Sequence, residues 1–147
     1  MSIKPRRTNG TTLMIDIGGV DVEVGLLDSI TPPSAKVRNE RVDPLNLLTT
    51  IAVATGGLEN ETSEFAVYLD LLDSTHSYCL AVTNDETHAN FGEEHTFTVT
   101  LPLPGINPWI YEGLLEKFTV KIEKGTLQKA TGMIQVNRST QLPTPTA

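Results

Sequence analysis

Three histidines and a single cysteine are the residues best suited to chemistry in this chain, and they raise a metal site as the first hypothesis. On a helix, His76 and Cys79 would lie on one side, and His88 or His95 would join them as zinc ligands. The spacing of the other two histidines matches no zinc pattern, and Cys79 stands among apolar residues. We therefore expect a buried thiol and solvated histidines, with no metal and no cofactor.

Pairs of carboxylates are the second candidate for chemistry, because glycosidases and calcium sites are both built from acidic side chains. The pairs in question are Asp70 with Asp73, Asp85 with Glu86, and Glu93 with Glu94. Their spacing gives neither two carboxylates facing each other across a cleft nor the regular oxygen ligands of a calcium loop. The sequence also has no nucleophile elbow around a serine and no glycine-rich phosphate loop. It therefore predicts no catalytic residue and a protein that is not an enzyme.

Charge is distributed unevenly along the chain. The net charge of −7 argues against general nucleic-acid binding, because affinity for phosphate backbones comes from a basic surface. No Lys or Arg occurs from Val42 to Glu116, and all eleven basic residues lie toward the two ends. This separation is consistent with an uneven solvated surface, or with head-to-tail self-association of basic and acidic faces.

The 147 residues are most simply one domain. No apolar run is long enough to cross a bilayer, and no apolar signal core follows the basic start, so we expect a cytoplasmic protein without a membrane anchor. The single cysteine excludes an internal disulfide and fits a reducing compartment.

Alternating apolar and polar residues predict mainly antiparallel strands over residues 12–140. The longest predicted ladder runs from Trp109 to Val136, with Phe118, Val120 and Ile122 on one face of its first strand. A first hairpin is predicted from residue 13 to residue 26, turning at Gly18-Gly19.

Other segments depart from this alternation. Residues 1–11 are predicted to be an arm, and residues 141–147 a flexible tail. Two weakly patterned runs in residues 34–60 predict a projecting loop, with a helical turn at Leu45–Leu48 as an alternative. A short helix is predicted over residues 74–83, starting after Asp73.

Trp109 and Tyr111 are the aromatic residues with the clearest potential for binding. Placed on either side of Ile110, they would form a platform for a sugar or a protein partner. Large aromatic residues at the start of a strand more often anchor a core or an interface.

Several segments, taken in their order along the chain, resemble the tail tube proteins of long-tailed, siphovirus-like bacteriophages. Three segments are similar to that family's closing strands: Phe97–Pro102 (FTVTLP), Ile110–Leu115 (IYEGLL) and Gly132–Asn137 (GMIQVN). Earlier segments follow the family's order as well: residues 26–30, residues 40–43, residues 56–59 and the strand around Phe65. Arg138 stands where the family often has glycine, and residues 114–119 are longer than usual.

The resemblance implies a mainly β fold, an antiparallel sandwich or barrel of tail-tube type with one short flanking helix and a projecting loop. It implies a structural virion protein, with six copies in a ring and rings stacked into a tube through which DNA passes without specific binding. The implied partners are further copies of the chain and the tape measure, tail tip and terminator proteins. The implied location is the virion tail, after synthesis in the host cytoplasm.

The resemblance also implies which residues make contacts between subunits and rings. These are Lys4, Arg6 and Arg7 of the arm, Arg38, Arg41 and Asp43 of the loop, and the pair Trp109 and Tyr111. An acidic channel wall would repel DNA, whereas a basic one would hold it. Two other functions stay open: a capsid decoration or head-completion protein, and a small module that binds carbohydrate or peptide through the aromatic pair.

Overall fold

The computed structural model describes residues 10–42, 51–125 and 127–146, with residues 38–42 and 51–59 described by their backbone alone. The elements in these ranges are β1 (Thr12–Ile17), β2 (Val20–Glu23), β3 (Leu27–Thr31), β4 (Ala35–Val42), β5 (Ile51–Asn60), β6 (Thr62–Tyr68), α1 (Ser74–Asn84), β7 (Glu94–Thr100), β8 (Trp109–Lys121) and β9 (Lys129–Gln141).

Seven of these strands form one antiparallel sheet in the order β2-β1-β7-β8-β9-β6-β3, and β4 pairs with β5 in a separate two-stranded sheet. The prediction of a mainly β, antiparallel fold with one short helix is confirmed.

The seven-stranded sheet curls until its two edges approach each other. β2 and β3 are the outermost strands, yet only Val24, Gly25 and Leu26 connect them. In a flat sheet, strands spaced ~4.8 Å apart would place these edges about 29 Å from each other. The four chain steps from Glu23 to Leu27 span at most about 14 Å, so the sheet must be barrel-like.

The crossing from β2 to β3 corrects part of the sequence analysis. A strand continuing to Leu26 was predicted, whereas β2 ends at Glu23 and Leu26 adopts a φ of 53°. The chain then enters β3, which pairs with β6 instead of β1. The prediction was wrong here because alternation of apolar residues does not encode which strand becomes the neighbour.

The inward faces of the strands form the hydrophobic core. Its fully buried large side chains include Leu13, Ile15, Phe65, Val67, Phe97, Val99, Tyr111 and Ile134. Phe65 pairs with Gly132 across β6 and β9, and a Cβ on that glycine would overlap the phenyl ring. Glycine at this position therefore lets the ring pack flat against the sheet.

The predicted ladder between β8 and β9 is confirmed and is longer than expected. Its pairing runs from Ile110 opposite Gln141 to Lys121 opposite Lys129, with three register shifts. Ile122, predicted on the apolar face, lies beyond the end of β8 and is 73% exposed.

Helix α1 begins where the sequence predicted. The Asp73 carboxylate accepts the Thr75 N–H at 2.9 Å and thereby caps the first turn. The helix buries Thr75, His76, Cys79 and Val82 against the sheet.

The segments expected to depart from the main sheet have different outcomes. β4 and β5 fall within the predicted loop of residues 34–60. The alternative helical turn at Leu45–Leu48 lies outside the described residues, and so do arm residues 1–9.

The tail, predicted to be flexible, is hydrogen-bonded. The Asn107 N–H donates to Thr144 O at 2.8 Å, and the Thr146 N–H donates to Gly105 O at 2.7 Å. Thr144 and Thr146, which stand next to the prolines, still supply a backbone acceptor and a backbone donor, and both are paired.

Candidate assembly surfaces

The residues considered for a metal site are structural instead. His76 is fully buried, and its Nδ1 accepts the Asp70 N–H at 3.0 Å, so the proton is on Nε2, which donates to Gly25 O at 2.7 Å. Both ring nitrogens are therefore occupied: Nε2 joins α1 to the crossing between β2 and β3, and Nδ1 joins it to the segment that precedes the helix. In the described part of the chain, no three His, Cys, Asp or Glu side chains are grouped so that they would hold a metal ion.

A second polar cluster joins α1 to β7. His95 Nδ1 donates to Glu93 O at 3.0 Å, so its Nε2 accepts the Tyr78 hydroxyl proton at 2.5 Å. Asn90 Nδ2 donates to the same hydroxyl oxygen at 3.1 Å. Burial lowers the pKa of His95 and raises the pKa of Tyr78. The prediction of solvated histidines was wrong for His76 and His95, because both are buried with hydrogen-bond partners.

Burial makes the side chains of Cys79 and Tyr111 unreactive. Burial raises the pKa of the Cys79 thiol to about 12, so it is not a thiolate nucleophile at neutral pH. Burial also raises the pKa of Tyr111 to about 12. Ser63 Oγ donates to Thr31 O at 2.7 Å, which makes the Tyr111 hydroxyl the donor to Ser63 Oγ. Tyr111 is fully buried within the subunit, which favours a place in the core over the predicted contact.

The C-terminal end of β9 presents an open strand edge. β6 begins at Thr62, which pairs with Gln135 of β9. Beyond that point, the segment Asn137–Gln141 pairs with β8 on one side, and no described strand pairs with its other side. The Asn137 carbonyl points to the open side, where it accepts Asn60 Nδ2 at 2.7 Å. Ser139 lies two residues further along the same segment, beyond the register shift that sets Arg138 opposite Glu112 and Val136 opposite Gly113. This edge is available for pairing with an added strand.

A groove of about 250 Å³ lies beside this open edge. It is lined by Pro33, Ala35, Asn60, Trp109, Arg138, Ser139 and Leu142. The Trp109 ring is half-buried, and its Nε1 lies 3.5 Å from Ser139 Oγ. An exposed backbone edge next to an apolar groove is the arrangement that binds an extended chain segment.

Arg138 connects three strands next to the open edge. Its Nη2 lies 3.3 Å from Glu94 Oε1 of β7 and also contacts Glu112 of β8. Asn137 Nδ2 donates to Glu94 Oε2 at 2.5 Å, and this hydrogen bond lowers the pKa of Glu94. The residue that departs from the resemblance thus bridges two carboxylates on neighbouring strands.

The remaining residues expected to make contacts are described only in part. Lys4, Arg6, Arg7 and Asp43 lie outside the described residues. Arg41 pairs with Ala52 in the two-stranded sheet, and Arg38 lies at the register shift of β4, with neither side chain described. Their contacts stay predictions. Within the described ranges, no helix is both long enough and apolar enough to span a membrane.

Solved structures of phage-like tails share this fold. The chain is similar to one in the six-fold symmetrised baseplate of the anti-feeding prophage, with a TM-score of 0.73 and 9% identity over 95% of each chain. It is similar to a chain in the C6-symmetric tail of an empty gene transfer agent particle, with a TM-score of 0.67 and 13% identity over 97% of this chain and 100% of that one. For the SPP1 tail tube the TM-score is 0.63, with 12% identity over 92% of this chain and 76% of that one.

No protein-family model matches the chain, and no curated protein sequence matches it significantly. At these identities the likeness shows the fold, which is the tail-tube fold implied by the sequence resemblance.

Proposed function

We propose that this chain is a structural tail-tube protein of a phage-like particle, a non-enzymatic subunit that associates with copies of itself into stacked rings. The observation that carries the proposal is the fold match with the gene transfer agent tail, which covers 97% of this chain and 100% of the other. The six-fold and C6 symmetry of two of these assemblies supports six copies in a ring.

The strand edges give a physical reason for ring formation. In the described sheet, β2, β3 and the segment Asn137–Gln141 of β9 each have an unpaired side. Unpaired edges favour aggregation unless they are covered, and a closed ring pairs them in a controlled way. The proposed joint between neighbours is the open edge of β9, with Trp109 in the adjacent groove contacting the incoming segment.

Contacts between rings are proposed for the charged residues of the arm and the loop. Lys4, Arg6 and Arg7 would come from the arm, and Arg38, Arg41 and Asp43 from the loop. The net charge of −7 supports a channel that lets DNA pass without specific binding. The tube would join tape measure, tail tip and terminator proteins in the virion tail after synthesis in the host cytoplasm.

Sedimentation velocity over a range of protein concentrations tests this proposal. A tube subunit should give species several times larger than the 16.0 kDa chain, in increasing amount as concentration rises. A decoration protein should stay small until capsid shells are added. A chain that remains monomeric alone but binds shells would overturn the proposal in favour of that alternative.

A further inference from the structure

A second groove, of about 280 Å³, follows the outer side of β3 near the seam of the curled sheet. It is lined by Thr11, Leu27, Asp28, Ser29, Ile30, Pro32, Val99 and Leu101. Half-buried apolar side chains, among them Leu27, Ile30 and Leu101, give it an apolar lining. The exposed Asp28 provides negative charge next to it.

This groove also offers backbone hydrogen bonds. The Thr31 carbonyl accepts Ser63 Oγ from β6, so Thr31 faces β6. Alternation along β3 then turns the N–H and C=O of Ile30 toward the groove, where no described residue supplies a strand partner. Thr11 Oγ1 is buried at the same groove, and it has no hydrogen-bond partner among the described residues. The groove therefore has the features of a site for an added strand.

The position and composition of residues 1–9 fit this site. They directly precede Gly10, whose φ of 107° permits a turn that other residues rarely adopt, and Thr11, which lines the groove. Nine extended residues span up to about 30 Å, which exceeds the ~17 Å of a five-residue strand. Ile3 suits the apolar lining, and the basic residues that follow it suit Asp28.

The existing partner of Asp28 leaves room for this contact. Its carboxylate lies 3.5 Å from Lys129 Nζ, and both side chains are substantially exposed. Exposed ion pairs of this kind contribute about 0–1 kcal/mol, so Asp28 can accept another cation at little cost.

We propose that residues 1–9 occupy this groove in the same chain when the subunit is free, adding a strand beside Ile30. Tethering at Gly10 gives the segment a high effective concentration at the site, so its own groove is favoured over that of another copy. The docked segment covers the β3 edge and so limits unwanted pairing between free subunits. One extension rests on the proposed function: the segment leaves this groove when it contacts a neighbouring ring.

Cross-linking of the full chain tests the docked state. Ile3→Cys combined with Ser29→Cys, treated with a short thiol-to-thiol reagent in dilute solution, should give a bridge within one chain. Cys79 is 1% exposed and its thiol pKa is raised to about 12, so it should not compete. The control joins Ile3→Cys to Thr119→Cys, an exposed position on β8 with two strands between it and β3. Equal yields in both variants, or bridges only between isotopically distinct chains, would overturn the proposal.

Hydrogen exchange gives a second readout that does not depend on cysteine variants. Deletion of residues 1–9 should speed exchange of the Ile30 amide by at least about tenfold, because its strand partner is lost. The Phe65 amide, inside the sheet, should exchange as before. Unchanged Ile30 exchange would overturn the docking. Both measurements are made on free subunits and do not depend on assembly. A failure to form tubes would therefore count against the proposed function and not against the docking of residues 1–9.

Discussion

The Tyr111 hydroxyl lies 3.2 Å from Ser63 Oγ, and both side chains are fully buried. Because Ser63 also donates to Thr31 O, this chain of hydrogen bonds joins β8, β6 and β3 across the core. It places Tyr111 among the residues that hold the subunit together, where the sequence suggested a contact with a partner.

Tyr111→Phe tests this assignment. The change should lower the free energy of unfolding by about 1–2 kcal/mol, because the ring is kept and a buried hydrogen bond is lost. Self-association should be unaffected. Urea unfolding gives the first quantity and sedimentation the second. Loss of self-association at unchanged stability would return Tyr111 to the interface.

Gly132→Ala tests the packing of Phe65 against the sheet. The added Cβ would overlap the Phe65 ring, so the free energy of unfolding should fall by about 1–3 kcal/mol. In a Phe65→Leu background the same change should cost less, since the ring is gone. Urea unfolding of the four proteins measures this coupling. Equal costs in both backgrounds would mean that the ring does not require glycine.

His95 should make stability depend on pH. Burial lowers its pKa in the folded protein below the ordinary value of 6.5, so the unfolded chain binds a proton more readily as the solution is acidified. The stabilisation is present above pH 6.5 and is lost as the pH falls through the folded pKa. Unfolding followed between about pH 7 and 5 should show this loss, and His95→Gln should reduce it. The same slope in both proteins would assign the effect to other groups.

Charge at the arm should make ring stacking sensitive to salt. The screening length falls from ~8 Å at physiological ionic strength to ~3 Å at 1 M, which weakens contacts between exposed charges. Tubes should therefore shorten with added salt, and Arg6→Glu with Arg7→Glu should shorten them at low salt. Electron microscopy measures these lengths. Lengths that respond to neither change would remove the electrostatic basis of stacking.

The open edge of β9 gives a test specific to the joint between neighbours. Ser139→Pro removes a backbone N–H and restricts the chain within the open segment of β9, which should impair pairing with an added strand. Ser139→Ala keeps that N–H and serves as the matched control. We expect the proline variant to lose self-association, as measured by sedimentation, and the alanine variant to retain it. Equal assembly by the two folded variants would place the joint elsewhere.

The sequence predicted the features that depend on near neighbours. Asp73 marked the start of α1 because a cap is formed within three residues, and alternation around Phe118 marked the face of β8. The crossing at Leu26 and the pairing of β3 with β6 depend on distant strands, so local patterns did not predict them.

The candidate surfaces were predictable only in part. His95 had a usable signal, because it alternates with Phe97 and Val99 on the inward face of β7, yet the sequence analysis placed it with the solvated histidines. The open end of β9 exists because β6 begins opposite Gln135, and the contacts of Arg138 exist because three strands meet there. Both depend on register between distant segments, which a single sequence does not reveal.

Negative-stain electron microscopy of the purified chain tests the central claim most directly. The account predicts rings or tubes, with six-fold symmetry in end views, as protein concentration rises or when a tail initiator is supplied. Small particles alone at every concentration and salt condition, even with the initiator present, would contradict it.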